Sequence, residues 1–197
     1  MTKIIGLTGG IASGKSTVTN YLRQKGYQVI DADQVVHDLQ AKGGKLYQAL
    51  VSWLGSAILN EAGELDRPKL SQLIFSSQEY LAKSSQLQNA IIRQELADRR
   101  GQLAKTEEIF FMDIPLLFEQ DYADWFDEVW LVYVNPETQV ERLKQRNGYS
   151  QEEAKQRLAS QMSLSQKCQL ADKVIDNSGD LKQLQAQIEQ QLKGLEG

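Results

Sequence analysis

The residues able to do chemistry begin nine positions into the chain. In "GLTGGIASGKSTV", Gly9, Gly14, Lys15 and Ser16 fit the pattern G-x-x-x-x-G-K-[ST]. Glycines at that spacing permit a tight loop whose amides converge on a phosphate, and a helix starting behind them adds the positive end of its dipole. Lys15 can reach the β- and γ-phosphates of a nucleotide, and the Ser16 hydroxyl can ligate a magnesium ion. A dinucleotide fingerprint does not fit, because Thr8 stands where G-x-G needs glycine.

A second set follows in "VIDADQVVH". Asp31 and Asp33 lie at the carboxyl end of an apolar run, the edge where open parallel sheets hold ligands. A carboxylate there can take the proton of an attacking hydroxyl. It can equally cap a helix, since Asp33 precedes a helical run. His37 lies one turn further on and, by residue type alone, reads as structural. Asp113 ends the apolar run "EIFFMD", where a carboxylate can hold magnesium through water. Arg142 and Arg146 stand four apart on one helix, a like-charge pair costing a few tenths of a kcal/mol unless an anion lies between them. Phosphates under a closing lid would be that anion; Glu141 or Glu152 could also relieve the pair.

These residues need a scaffold. Apolar runs at 3–8, 27–31, 108–113, 128–134 and 173–176 read as strands, separated by helical patterns. The spacing predicts an α/β fold with a five-stranded parallel sheet covered on both faces. Helices are expected from Ser16 to Lys25, from Pro136, from Ser150 with a Ser150–Glu153 capping box, and over 180–193. The core is expected over 1–33 and 106–197, with a helical lid at about 138–165. Residues 34–105 are too long for one crossover and read as a mostly helical insertion. Trp53, Trp125 and Trp130 read as packing residues, and "LVSWLG" (50–55) as part of the insertion's core.

Composition narrows the class. The chain has 197 residues with 41 % hydrophobic and 24 % charged, ordinary for a globular protein. No apolar run is long enough to span a bilayer, and the N-terminus does not read as a signal peptide. One Cys and one His make neither a disulfide nor a zinc site, which fits a reducing cytoplasm. A net charge of −4 argues against nucleic acid as partner. No N-K-x-D segment marks a guanine reader. A small kinase closing over two substrates fits the length best. Its acceptor stays open at this point: a nucleoside, a nucleotide or a shikimate-like hydroxyl, or none in a nucleotide-binding regulator.

The ordered set of blocks is more specific than the loop alone. "GLTGGIASGKSTV" with "DADQVVH" resembles the dephospho-coenzyme A kinase family. So do "LDRPKLSQLIF" (65–75), "DIPLLFE" (113–119), "VYVNPETQVERLKQRNGYSQEEAKQRLASQM" and "KCQLADKVIDNSG", together spanning 3–179. Asn89-Ala90 stands where the family usually carries His-Pro, and Arg146-Asn147-Gly148 where it usually carries Arg-Asp-Gly. The resemblance implies a three-layer P-loop kinase fold with an acceptor-binding insertion, cytoplasmic, with no membrane, nucleic-acid or obligate protein partner. It implies transfer of the γ-phosphoryl of ATP, with Mg²⁺, to the ribose 3′-hydroxyl of dephospho-coenzyme A. On that reading Lys15, Asp33 and Arg142 are catalytic. Gly10, Ala12, Ser13, Gly14, Lys15, Ser16, Thr17, Arg146 and Asn177 bind ATP. Ser16 serves the metal, and Asp113 does so by its place among P-loop enzymes in general, since the family does not depend on an acid there. Asp31, His37, Arg67, Arg93 and Leu116 contact the acceptor, although Arg67 and Arg93 could equally be surface ion-pair partners. Phe118-Glu119 shapes the acceptor cleft, and Arg157 and Gln161 continue the lid helix.

Overall fold

A computed structural model describes residues 1–196. In chain order the elements are β1 (Lys3–Gly9), α1 (Lys15–Gln24), β2 (Gln28–Asp31), α2 (Ala32–Gln40), α3 (Lys45–Leu54), α4 (Arg67–Ile74), α5 (Gln78–Leu103), β3 (Ile109–Asp113), β4 (Glu128–Tyr133), α6 (Pro136–Asn147), α7 (Gln151–Ala159), α8 (Leu164–Leu170), β5 (Lys173–Asp176) and α9 (Leu181–Glu196). The strands form one parallel sheet in the order β2-β3-β1-β4-β5. The register pairs Leu7 with Asp113 and Gly9 with Val132, so β1 delivers the glycine loop at the carboxyl edge, level with the end of β3.

The chain divides into two compact units, Met1–Ile30 with Leu103–Gly197, and Asp31–Gln102. In the first, alternate residues of the strands face opposite ways. Ile5, Leu7, Phe111, Trp130, Val132 and Ile175 pack against Val18 and Leu22 of α1 and Leu184, Ile188, Leu192 and Leu195 of α9. Leu131 faces the other way, onto Leu164 and Cys168 of α8. Both faces are buried, which is why β3 and β4 read as continuous apolar runs. In the second unit, Leu50, Ile58, Leu70 and Ile74 form a separate core, with Trp53 packed against it. Asp66 caps α4 by accepting from Lys69 N–H, and Pro68 sits in the first turn, where a missing N–H costs nothing.

The segment after Ala159 differs from the sequence expectation of one continuing helix. α7 ends at Ala159, so Gln161 lies beyond it, and a second capping box, Ser163 with Gln166, starts α8. No helix among the described residues is long and apolar enough to cross a membrane.

Candidate active site

Between β1 and α1 the backbone takes the left-handed region twice, at Ala12 (φ 60°) and Gly14 (φ 80°). Glycine adopts that region freely; alanine pays about 1 kcal/mol to be there, and such strain persists only where surroundings impose it. Alternating right- and left-handed residues turn successive N–H groups into a concave anion nest. Among the described residues no protein acceptor takes the amides of Ile11, Ala12, Gly14 or Lys15, as an anion site requires.

Three side chains hold the loop in place. Gln139 of α6, almost fully buried, donates from Nε2 to Ile11 O at 2.7 Å. Asn177, after β5, donates from Nδ2 to Ser13 O at 2.9 Å and is 8 % exposed. Arg142 of α6 donates from Nη2 to Asn177 O at 3.0 Å. A methyl group on Gly14 would lie 3.5 Å from Arg142 Nη1 and collide with Asn177 Nδ2, so a side chain there would push the Asn177 amide off the Ser13 carbonyl. Ser13 Oγ is buried without a partner among the described residues. Gln139 carries no motif. A glutamine at mid-helix among polar neighbours gives no signal of its own, and the packing alone reveals it.

Lys15 makes an ion pair with Asp113, a residue 5 % exposed at the end of β3. The lysine and the acid assigned to phosphate and metal thus meet. Ser16 and Thr17 are exposed at the start of α1, and Arg146 is exposed near the end of α6. Leu116 is half-buried in the turn after β3. Beside Gly10 opens a cavity of about 610 Å³, bounded by Gln139 of α6 and by Leu158, Met162 and Leu164. Burial, with the Asp176 charge, pushes the Cys168 thiol above its ordinary value, which disfavours the nucleophilic thiolate.

In the unit Asp31–Gln102, Asp31 is the cap of α2. Its Oδ1 accepts from Asp33 N–H at 2.9 Å and Gln34 N–H at 3.1 Å. Asp33 therefore is not the cap. Its carboxylate is exposed in the first turn and, among the described residues, has no hydrogen-bond partner. His37 is exposed one turn further along α2. Arg67 is exposed and donates to Gln40 Oε1 at 3.5 Å, and Arg93 is exposed on α5.

The family model for dephospho-CoA kinases matches residues 3–183. A dephospho-CoA kinase of Streptococcus mutans is 76 % identical over all of this chain and 99 % of its own length. The chain belongs to the dephospho-CoA kinase family. A Streptococcus agalactiae relative bearing the same name is 65 % identical over 95 % of this chain and 96 % of its own. Among solved structures, a dephospho-CoA kinase from Campylobacter jejuni superposes with a TM-score of 0.76 at 26 % identity, covering 99 % of this chain and 98 % of that one. A shikimate kinase from Bacteroides thetaiotaomicron, at 14 % identity and a TM-score of 0.55, covers 99 % of both chains and shares the fold. The five-stranded parallel sheet expected from the sequence is present, and the fold is that of the P-loop kinases.

Proposed function

We infer that the protein transfers the γ-phosphoryl group of ATP to the ribose 3′-hydroxyl of dephospho-coenzyme A, giving coenzyme A and ADP, the last step of coenzyme A synthesis. Full-length identity of 76 % to a named dephospho-CoA kinase carries the reading. The unpartnered amides of the glycine loop agree with it on physical grounds.

Each residue has a stated role on this reading. The loop residues Gly10, Ala12, Ser13 and Gly14 and the start of α1, with Ser16 and Thr17, bind the ATP phosphates; the Ser13 amide itself donates to Gly10 O at 3.2 Å and shapes the loop. Lys15 leaves Asp113 to meet the transferring group, whose charge it stabilises together with Arg142. Asp33 accepts the proton of the attacking hydroxyl, a role open to it because Asp31 does the capping. Asn177 anchors the loop through Ser13 and Arg142. Arg146 is assigned to ATP; Asp31, His37, Arg67, Arg93 and Leu116 are assigned to the acceptor. The insertion at 34–105, most of which falls in the compact unit Asp31–Gln102, is the acceptor-binding part, and the helical stretch at about 138–165 is the lid.

A kinase of this kind uses a divalent metal with ATP, and Mg²⁺ is the ion proposed. Ser16 offers one exposed hydroxyl and Asp113 one buried carboxylate. Among the described residues no group of three or more His, Cys, Asp or Glu side chains forms a cage. That donor set fits magnesium, which takes few protein ligands and fills the rest with phosphate oxygens and water. When bound, the ion would neutralise charge on the β- and γ-phosphates. Cytoplasmic location, and action without nucleic acid, membrane or an obligate protein partner, belong to the same proposal.

ADP formation with ATP, Mg²⁺ and dephospho-coenzyme A, against a panel of nucleosides and shikimate, tests the function. Turnover is expected with dephospho-coenzyme A alone. No turnover with it would overturn the reading.

A further inference from the structure

Lys167 on α8 is fully enclosed, at 0 % exposure. A lysine stem fits an apolar enclosure, but its ammonium does not unless acceptors meet it. Two do. Nζ donates to Pro115 O at 3.2 Å and faces Glu119 Oε1 at 2.9 Å. Glu119 Oε1 also accepts from Met162 N–H at 3.3 Å. Pro115 O is shared in turn, since Thr8 Oγ1 donates to it at 3.1 Å.

One carbonyl and one carboxylate oxygen therefore join four segments: β1 just ahead of the glycine loop, the turn after β3, the stretch that follows α7, and α8. The same α8 reaches the loop directly. A methyl group on Gly10 would come within 3.0 Å of Leu164, the first residue of α8. Gln139, from α6, holds the neighbouring Ile11 carbonyl. The loop is thus braced by both ends of the segment running from α6 to α8, and the ion pair is what fastens the second end.

Apolar side chains could join these segments too, and more cheaply, since they carry no charge to strip of water. What a shared, directional pair adds is a single permitted arrangement. Glu119 Oε2 is buried with no partner among the described residues, so the carboxylate is tied down through one oxygen.

We propose that Lys167 and Glu119 are positioning residues for phosphoryl transfer. Their pair fixes the root of the segment Pro136–Ser163 against the turn Pro115–Gln120 and the glycine loop. Neither residue touches the reacting atoms; they act through Pro115, Met162 and Leu164. This replaces the sequence expectation that Glu119 shapes the acceptor cleft, and it rests on the kinase reading, because the readout is turnover.

The test compares wild type with Glu119→Gln, Lys167→Met and the double variant Glu119→Leu/Lys167→Met. Each is followed by ADP release at saturating substrates and by thermal melting. The single variants are expected to lose at least about tenfold in kcat while KM for ATP moves less than about threefold, a loss confined to steps after binding. The double variant, with no charge left to bury, is expected to regain the wild-type melting temperature yet stay at least about tenfold down in kcat. Recovery of both together would show that the pair serves stability alone and overturn the proposal. Should the double variant melt early, Glu119→Gln decides, assayed well below its own melting temperature: a kcat within about threefold of wild type overturns the proposal. An inactive wild type would instead count against the kinase reading.

Discussion

Asp31 and Asp33 stand two residues apart at one sheet edge, and the backbone separates their work. Asp31 is extended (φ −98°, ψ 112°), the conformation of a helix cap, and its Oδ1 holds two amides of α2. Losing such a cap costs about 1 kcal/mol. Asp33 is already helical, and among the described residues its carboxylate has no hydrogen-bond partner. Replacing it with asparagine keeps the shape and removes the base. Asp33→Asn is therefore expected to lower kcat by about 10²- to 10⁴-fold, with ATP affinity and melting temperature unchanged. Steady-state kinetics beside an ATP titration check this, and a kcat within a few-fold of wild type would rule out the proton-accepting role. The sequence places both acids at the edge but offers Asp33 as the cap, since a helix's first residue is uncertain by one or two from sequence, and the structure moves the cap to Asp31. Lys167 was less legible still. A lysine amid the polar residues of "LSQKCQL" reads as solvated, and only the packing of α8 encloses it.

At the scale of elements, α3 and α5 are joined by charge. Glu95 on α5 accepts from Lys45 on α3 at 2.7 Å and from Arg99 one turn along at 3.0 Å. Those two cations, Lys45 first, hold the Glu95 carboxyl below the ordinary glutamate range. A depressed carboxyl pKa stabilises the fold above the ordinary range and loses that contribution as pH falls through and below it. Glu95→Gln should therefore lower the urea midpoint slightly at pH 7, and the gap to wild type should close as pH falls below the ordinary glutamate range. Salt should shrink the gap as well, because the cations are partly exposed. A gap independent of pH would mean that the glutamate acts by packing. Elements with strong patterns were legible: β3 and β4 are buried on both faces and show it as unbroken apolar runs. α8 was not, because seven residues make a weak period and its capping box starts only four residues beyond the end of α7.

For the whole molecule, each compact unit has a core of its own: the sheet with α1 and α9 in one, Leu50, Ile58, Leu70 and Ile74 in the other. The strand order β2-β3-β1-β4-β5 is hidden from a single sequence, since a helical crossover can return a strand to either side of its predecessor. The glycine loop is plain, because its spacing is a direct consequence of the turn it must make. Separate cores imply that ligands leave separate marks. A ligand binding only the folded form suppresses opening where it binds. ATP with Mg²⁺ should slow amide hydrogen exchange most at residues 10–17, where Ile11, Ala12, Gly14 and Lys15 have no acceptor among the described residues and a phosphate would give them one. Dephospho-coenzyme A alone should slow exchange in α2, α4 and α5 and leave residues 10–17 nearly unchanged. Exchange followed by mass spectrometry resolves the two patterns. Protection by dephospho-coenzyme A confined to the sheet unit would remove the acceptor-binding role from Asp31–Gln102, and with it the assignments of His37, Arg67 and Arg93.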